Sequence, residues 1–233
     1  MIIADQKPLD EVLGYLKDYK NIAIAACGTC VTICLAGGLA EAENLAEALR
    51  IARGASGRPA SVRVFSLKRQ CDAEFIEEAD LELRWADAIL STACGVGVQF
   101  MAERFQVVLP GLNTTFFGAS RDAGLWTEMC QGCGNCVLER TGGICPVTRC
   151  SKSNFNGPCG GSSKGKCEID SETDCGWQLI YEKLKSLGKL ERLYEIQEIK
   201  DWRSARDGGP RKRVAPLSCA DELAVEQNAV DWT

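Results

Sequence analysis

Apolar positions along residues 1–118 follow two periods in turn, and the alternation predicts strands and helices one after another. Leu9, Val12, Leu13 and Leu16 share one face of a 3.6-residue period and mark a short first helix. Asn21 to Ala26 (NIAIAA) is an unbroken apolar run of buried-strand length, closed by Cys27-Gly28-Thr29-Cys30. Helical spacing then runs through Leu39, Leu45, Ala48 and Leu49 to Arg53, where Gly54, Gly57 and Pro59 break it. Ser61 to Leu67 (SVRVFSL) predicts a second strand, followed by Cys71 and a helical stretch to about Trp85. Asp87 to Thr92 (DAILST) predicts a third, ending at Cys94-Gly95-Val96-Gly97, and Gln106 to Leu109 a fourth before Pro110-Gly111. Strands alternating with helices predict an α/β fold with a doubly wound parallel sheet of the Rossmann or flavodoxin-like kind. Ligands of such sheets bind beyond the carboxyl ends of the strands. Cys27, Cys71 and Cys94 each follow a strand, so this topology would gather them on one rim.

The pattern changes near Phe117. From Met129 to Trp177 there are eight Cys and nine Gly with few apolar residues. Such a stretch buries too little apolar surface to offset its chain entropy. Metal ligation can order it, because metal-binding free energy becomes folding free energy. Amphipathic spacing resumes at Trp177, Ile180, Tyr181, Leu184 and Leu187, and continues beyond Gly188 with Leu190, Leu193 and Ile196. The expected organisation is an α/β domain over 1–118, a Cys-rich metal-cluster lobe over 119–176, and C-terminal helices with a polar tail over 177–233.

Composition narrows the chemistry. The chain of 233 residues carries fourteen Cys and no His. Without imidazole there is no Cys/His zinc finger, no Ser–His or Cys–His nucleophile and no imidazole acid–base pair. Metal sites must be thiolate-rich. A net charge of −5 argues against a nucleic-acid surface, and the short basic run Arg211-Lys212-Arg213 reads as a solvated turn. Residues 1–20 lack the charged and apolar regions of a signal peptide, and no run approaches the roughly 18 apolar residues of a membrane helix. A cytoplasmic protein is expected, and in a reducing compartment crowded cysteines point to metal or redox chemistry rather than disulfides.

The thiols fall into three sets. Cys130-x2-Cys133-x2-Cys136, followed by Cys145-Pro146, lies close to the bacterial ferredoxin run, with eight residues rather than three before the Cys-Pro. It favours a [4Fe–4S] cluster over a zinc knuckle or free thiols. Cys150, Cys159, Cys167 and Cys175 form a looser second set, in which an all-Cys zinc is the main alternative to a cluster. Spacing does not decide whether Cys145 and Cys150 belong to one site or the other. The third set is Cys27, Cys30 and Cys34 with Cys71 and Cys94. A cluster held by four of these five leads; a thioredoxin-like Cys27/Cys30 pair and inert buried thiols, with Cys34 the best candidate, are the rivals. Cys219 reads as structural. Trp126, Trp177 and Trp202 read as packing residues that flank the Cys-rich stretch and shield it from water. There is no phosphate-binding G-x-x-x-x-G-K-[ST] run, Cys94-Gly95-Val96-Gly97 lacks the third glycine of a dinucleotide fingerprint, and no carboxylates stand out as a catalytic pair.

The run from Cys130 through Cys145-Pro146, Asn156-Gly157-Pro158-Cys159-Gly160-Gly161 and Cys167 to Cys175-x-Trp177 resembles the methylenetetrahydrofolate reductase C-terminal domain family. With Cys27-Gly28-Thr29-Cys30 after a strand, the chain as a whole resembles the V-type (MetV) small iron–sulfur/zinc subunits of acetogen methylenetetrahydrofolate reductase. The resemblance implies a heteromeric oxidoreductase of the Wood–Ljungdahl pathway and one-carbon metabolism. It implies a flavoprotein partner with FMN or FAD and the folate site, and further electron-donor subunits. This chain would carry two to three [4Fe–4S] clusters, or a zinc in place of one, and relay electrons to the flavin without catalytic groups of its own. A zinc-bearing docking subunit and an autonomous thiol–disulfide enzyme are the competing readings.

Overall fold

The computed structural model describes residues 1–213. Cys219 lies outside the described residues. Four strands form a parallel sheet: β2 (Asn21–Cys27), β3 (Ser61–Leu67), β4 (Ala88–Ser91) and β5 (Val108–Pro110), in the order β3-β2-β4-β5. β2 is central and five of its side chains are fully buried, which explains why NIAIAA is apolar without alternation: a strand covered on both faces has no polar side. The chain leaves β2 toward β3 on one side and returns to β4 on the other. This is the flavodoxin-like order, with its switch point between β2 and β4.

Helices cover both faces. Val12 and Leu16 of α1 (Leu9–Leu16) and Ala42, Ala46 and Leu49 of α3 (Leu39–Ala55) pack on Ile22, Ile24, Val62 and Leu90. On the other face Ile76 of α4 (Ala73–Glu78), Leu83 of α5 (Asp80–Leu83) and Met101 of α6 (Gly95–Ala102) pack on Ala23, Ala25, Leu67 and Ile89. The helix expected to run unbroken to Trp85 is two short helices. Asp80 stands at their junction, mostly buried, and takes hydrogen bonds from Arg84 Nε at 2.6 Å and Arg104 Nε at 2.8 Å. These two guanidiniums hold its carboxyl below the ordinary carboxylate range.

Two differences from the sequence reading matter for the site. First, an antiparallel sheet in the order β1-β6-β7 is present: β1 (Ile2–Gln6), β6 (Leu112–Asp122) and β7 (Leu125–Cys130). β6 spans the expected domain boundary at residue 118. Its sequence LNTTFFGASRD carries no clean alternation, and its order comes from pairing, Ile2 with Phe117 and Gln6 with Leu112, over a separation in sequence that no local pattern can report. Second, the helix expected from Cys30 onward breaks. α2 (Cys30–Ile33) ends at Cys34, Leu35 adopts a φ of 56°, and α3 starts afresh at Leu39. Gly37 occupies the break because its Cα lies against β4: a Cβ there would sit 1.9 Å from the Thr92 carbonyl oxygen. The apolar pattern beyond Gly188 forms only a 3₁₀ turn, Leu190–Tyr194, after α8 (Gly176–Ser186). The fourth strand is displaced to Val108–Pro110.

The core of the Cys-rich lobe is small. Trp177, Ile180 and Leu184 of α8 are buried, with Ile144, Leu190 and Leu193 packed beside them. α7 (Pro146–Arg149) adds Pro146 and Val147. No described helix is long and apolar enough to cross a membrane.

Two stability results follow. Gly37→Ala should lower unfolding free energy by about 1–3 kcal/mol, the usual cost of overpacking. Asp80→Asn should lower it by about 1–3 kcal/mol by leaving two guanidiniums without their anion. Because the native carboxyl is held below its unfolded value, wild-type stability from this contact is present above the unfolded value and fades as pH falls through the native one. Denaturant melts from neutral to acid pH should therefore show the Asp80→Asn deficit shrinking on acidification.

Candidate metal centres

The first group of thiols sits at the switch point of the parallel sheet. Cys27 is the last residue of β2, Cys71 lies on the loop after β3, and Cys94 is the N-cap of α6 after β4. A buried polar bridge ties these three loops together. Gln70, fully buried, donates from Nε2 to the Ala25 carbonyl at 2.8 Å and accepts from Ser91 Oγ at 2.5 Å. Thr92 Oγ1 donates to the Gly37 carbonyl at 2.8 Å, and the Gly28 N–H to the Leu67 carbonyl at 2.9 Å. Gly97 packs so tightly that a Cβ would lie 2.8 Å from that of Ala93 and 2.9 Å from that of Gln70. The thiols consequently feel one another. Burial pushes the Cys71 thiol up, and the neighbouring Cys27 and Cys94 push it further.

The other two members of this set differ. Cys30 is half-buried at the first position of α2. Cys34 is turned into the core, packed with Ile3, Val31 and Leu112, and its Sγ faces the Val31 and Ala4 carbonyls at 3.6 and 3.8 Å. Its surroundings are those of an inert buried thiol. Trp126 of β7 covers the same apolar cluster as Cys27 and Cys94, and its Nε1 is buried without an acceptor.

The second group forms the wall of one pocket. Cys130, Cys133, Cys136 and Cys145 line a cavity of about 280 Å³, closed on its apolar side by Met129, Val137, Leu138 and Val147. Cys130 ends β7 and Cys145 is the N-cap of α7. Gly132 and Gly134 take φ of 67° and 79°, a path an L side chain resists, and Gly132 N–H points at Cys130 Sγ at 3.3 Å. A strap from the C-terminal segment clasps this loop. Lys200 Nζ donates to the Asn135 carbonyl at 3.1 Å, Ser204 Oγ to the Cys133 carbonyl at 2.9 Å, and Arg211 Nη1 to the Gly132 carbonyl at 3.0 Å. A Cβ on Gly134 would meet the Ser204 carbonyl oxygen at 2.1 Å. Arg211, read from sequence as part of a solvated turn, is exposed but anchored.

The third group is assembled from loops. Gly176, beside Cys175, rests on the backbone of Arg149 and Cys150. The Cys175 N–H reaches the Gly165 carbonyl and the Cys167 N–H the Thr173 carbonyl, which folds 163–175 into a knuckle. Ser151 Oγ lies 3.5 Å from Cys167 Sγ. Gly161, two residues past Cys159, lies against Glu168, whose carboxylate pairs with Lys152. Cys167 is depressed below the ordinary thiol value by the Ser151 hydroxyl, by the Ile169 and Asp170 N–H groups and by Lys152.

All thirteen described cysteines are free of disulfides. Among the described residues no three Cys, Asp or Glu side chains converge tightly enough to hold a single ion. Of the three sets, Cys130, Cys133, Cys136 and Cys145 share the lining of one pocket. The donor set fits iron–sulfur chemistry: thiolates alone, an N–H aimed at a sulfur, and glycines that bring the backbone close.

Residues 109–203 match the family model of the methylene-tetrahydrofolate reductase C terminal. The matched stretch holds the second and third thiol groups entire, together with Trp126 and Lys200. The switch-point thiols precede it. No curated protein and no solved structure matches the chain. The chain is thus related to methylenetetrahydrofolate reductase through this C-terminal domain. The sequence reading identified every thiol but missed Gln70, Ser91, Lys200, Ser204 and Arg211; only Gly134, a glycine between two cysteines, hinted that another segment approaches closely.

The thiol environments set an order of reactivity. In the metal-free, reduced chain near neutral pH, iodoacetamide should label Cys71 more slowly than Cys167, because only thiolate reacts and the folded N-terminal half keeps the Cys71 thiol raised. The gap should narrow as pH rises toward the raised Cys71 value. Peptide mass spectrometry over time reads this directly, and equal rates at neutral pH would contradict the assigned environments.

Proposed function

We propose that this chain is the iron–sulfur electron-transfer subunit of a heteromeric methylenetetrahydrofolate reductase, of the MetV type, serving the flavin of a partner catalytic subunit in the Wood–Ljungdahl pathway. The observation that carries the reading is the ring of Cys130, Cys133, Cys136 and Cys145 around one pocket inside the stretch that matches the reductase C-terminal family. Cys150, Cys159, Cys167 and Cys175 would hold a second centre, either a cluster or a zinc.

An iron–sulfur cluster supplies reversible one-electron storage at a potential set by its ligands and surroundings. The chain's residues define those surroundings. Cys130, Cys133, Cys136 and Cys145 would bind it as thiolates, and the Gly132 N–H donates toward Cys130 Sγ. Met129, Val137 and Leu138 make one side of the pocket apolar. Lys200, 6% exposed, and Arg211 place two positive charges on the ring's own backbone carbonyls, offsetting the negative charge that four thiolates gather. The depressed Cys167 thiol is already disposed to ligate, since binding requires loss of its proton. Metal loading should accordingly release protons and weaken in acid.

Anaerobic purification of the native protein tests the proposal. Iron with acid-labile sulfide, visible absorption bleached by dithionite and a copurifying flavoprotein are expected. Cys133→Ala should lose one cluster's complement of iron. A colourless chain with stoichiometric zinc alone would establish the docking-subunit reading instead.

A further inference from the structure

Beyond α8 the chain displays large apolar side chains that the described residues leave uncovered. Tyr194, Ile196 and Ile199 are 87%, 88% and 97% exposed. They stand on a fixed backbone: the Asn156 side chain accepts from the Gln197 N–H at 2.6 Å and donates to the Gln197 carbonyl at 2.9 Å. An apolar strip held out in this way marks a contact surface. The strap that follows is basic. Residues 200–213 carry Lys200, Arg203, Arg206, Arg211, Lys212 and Arg213 against Asp201 and Asp207, a net charge of +4 in a chain whose total is −5. Lys200 and Arg211 hold the Asn135 and Gly132 carbonyls, three residues apart, so the strap doubles back and brings Arg211 close to the residue that follows Ile199. Residues 214–233, which continue from this point, have the complementary composition. Asp221, Glu222, Glu226 and Asp231 give them a net charge of −4 with no basic residue, and Leu217, Leu223, Val225, Val230 and Trp232 are interspersed.

We propose that residues 214–233 of the same chain cover this face, with their apolar side chains on Tyr194, Ile196 and Ile199 and their carboxylates against the basic strap. Burial of the apolar strip supplies the attraction, and the opposite charges fix where the segment lies. Length permits it. The 20 residues beyond Arg213 reach at most about 70 Å when extended, and the six-residue strip spans only about 20 Å. Tethering at Arg213 also holds the segment at an effective concentration on the order of millimolar, above that of a separate protein. Arg211 bonds Gly132 in the wall of the Cys130 pocket, so the covered face lies beside that pocket. The C-terminal segment is then an internal competitor of any protein that docks there. The inference goes beyond the relay reading and does not depend on which metal the pocket takes.

The test uses the full chain purified without oxygen, digested with glutamyl endopeptidase at low salt, with mass spectrometry of the released C-terminal peptides. The rates of cutting after Glu222 and Glu226 are divided by those for a synthetic peptide of residues 214–233. Cleavage tracks the population of the open form, so the full chain should be cut about tenfold more slowly than the peptide. Tyr194→Ser/Ile199→Ser should bring the ratio to within about twofold of unity. Asp221→Lys/Asp231→Lys, read against a peptide with the same changes, should do likewise, and it leaves residues 1–213 untouched. Light scattering should give the mass of one chain throughout. A wild-type ratio near unity would overturn the inference and leave the face to a separate protein. Protection that survives either double variant would overturn it as well. Protection that grows with protein concentration alongside a doubled mass would overturn it and assign the face to a second copy of the chain.

Discussion

The Cys-rich lobe has too little apolar surface to fold by burial alone. Between Met129 and Trp177 the buried side chains are few, and α8 supplies most of the small core through Trp177, Ile180 and Leu184. What remains is backbone in tight turns, with φ above zero at Gly132, Gly134, Gly142, Gly143, Gly157, Gly160 and Gly165. Each such turn costs conformational entropy that no hydrophobic contact returns. On the reading proposed above, thiolate–metal bonds offset it, because metal-binding free energy becomes folding free energy. The loops pack closely where the cysteines lie, with Gly176 against Cys150, Gly161 against Glu168, and four thiols lining one pocket.

The N-terminal half follows the opposite logic. Its parallel sheet is covered on both faces and folds by burial, with fully buried Leu16, Ile24, Leu49, Leu90 and Met101 at its centre. Its thiols are held by a finished scaffold, in which Ser91 donates to Gln70, Gln70 donates to the Ala25 carbonyl, and Thr92 donates to the Gly37 carbonyl. One half carries its thiols on a frame that burial completes; in the proposed reading the other has its frame completed by bound ions. The antiparallel sheet joins them: β1 and β6 close over the carboxyl rim through Ile3, Ala4 and Leu112, and β7 delivers Cys130 to the lobe.

Legibility in the sequence divided along the same line. NIAIAA and DAILST announced buried strands because burial on both faces leaves an unbroken apolar signature, and the rim cysteines could be placed from strand ends alone. The antiparallel sheet was invisible because β1 and β6 pair across more than a hundred residues and β6 is exposed along much of its length. The strap of Lys200, Ser204 and Arg211 was invisible because side-chain donors to backbone carbonyls leave no periodic trace. The thiols themselves were legible as chemistry, since no imidazole competes with them, but their grouping emerged only from the loops that carry them.

The central claim is that bound inorganic ions order the segment from Cys130 to Cys175. Amide hydrogen exchange on the anaerobically purified protein, before and after exhaustive chelation, addresses it most directly. The account predicts that amides of this segment lose their protection on chelation while those of β2, β3 and β4 keep theirs. Protection in 130–175 that survives complete removal of metal would contradict it.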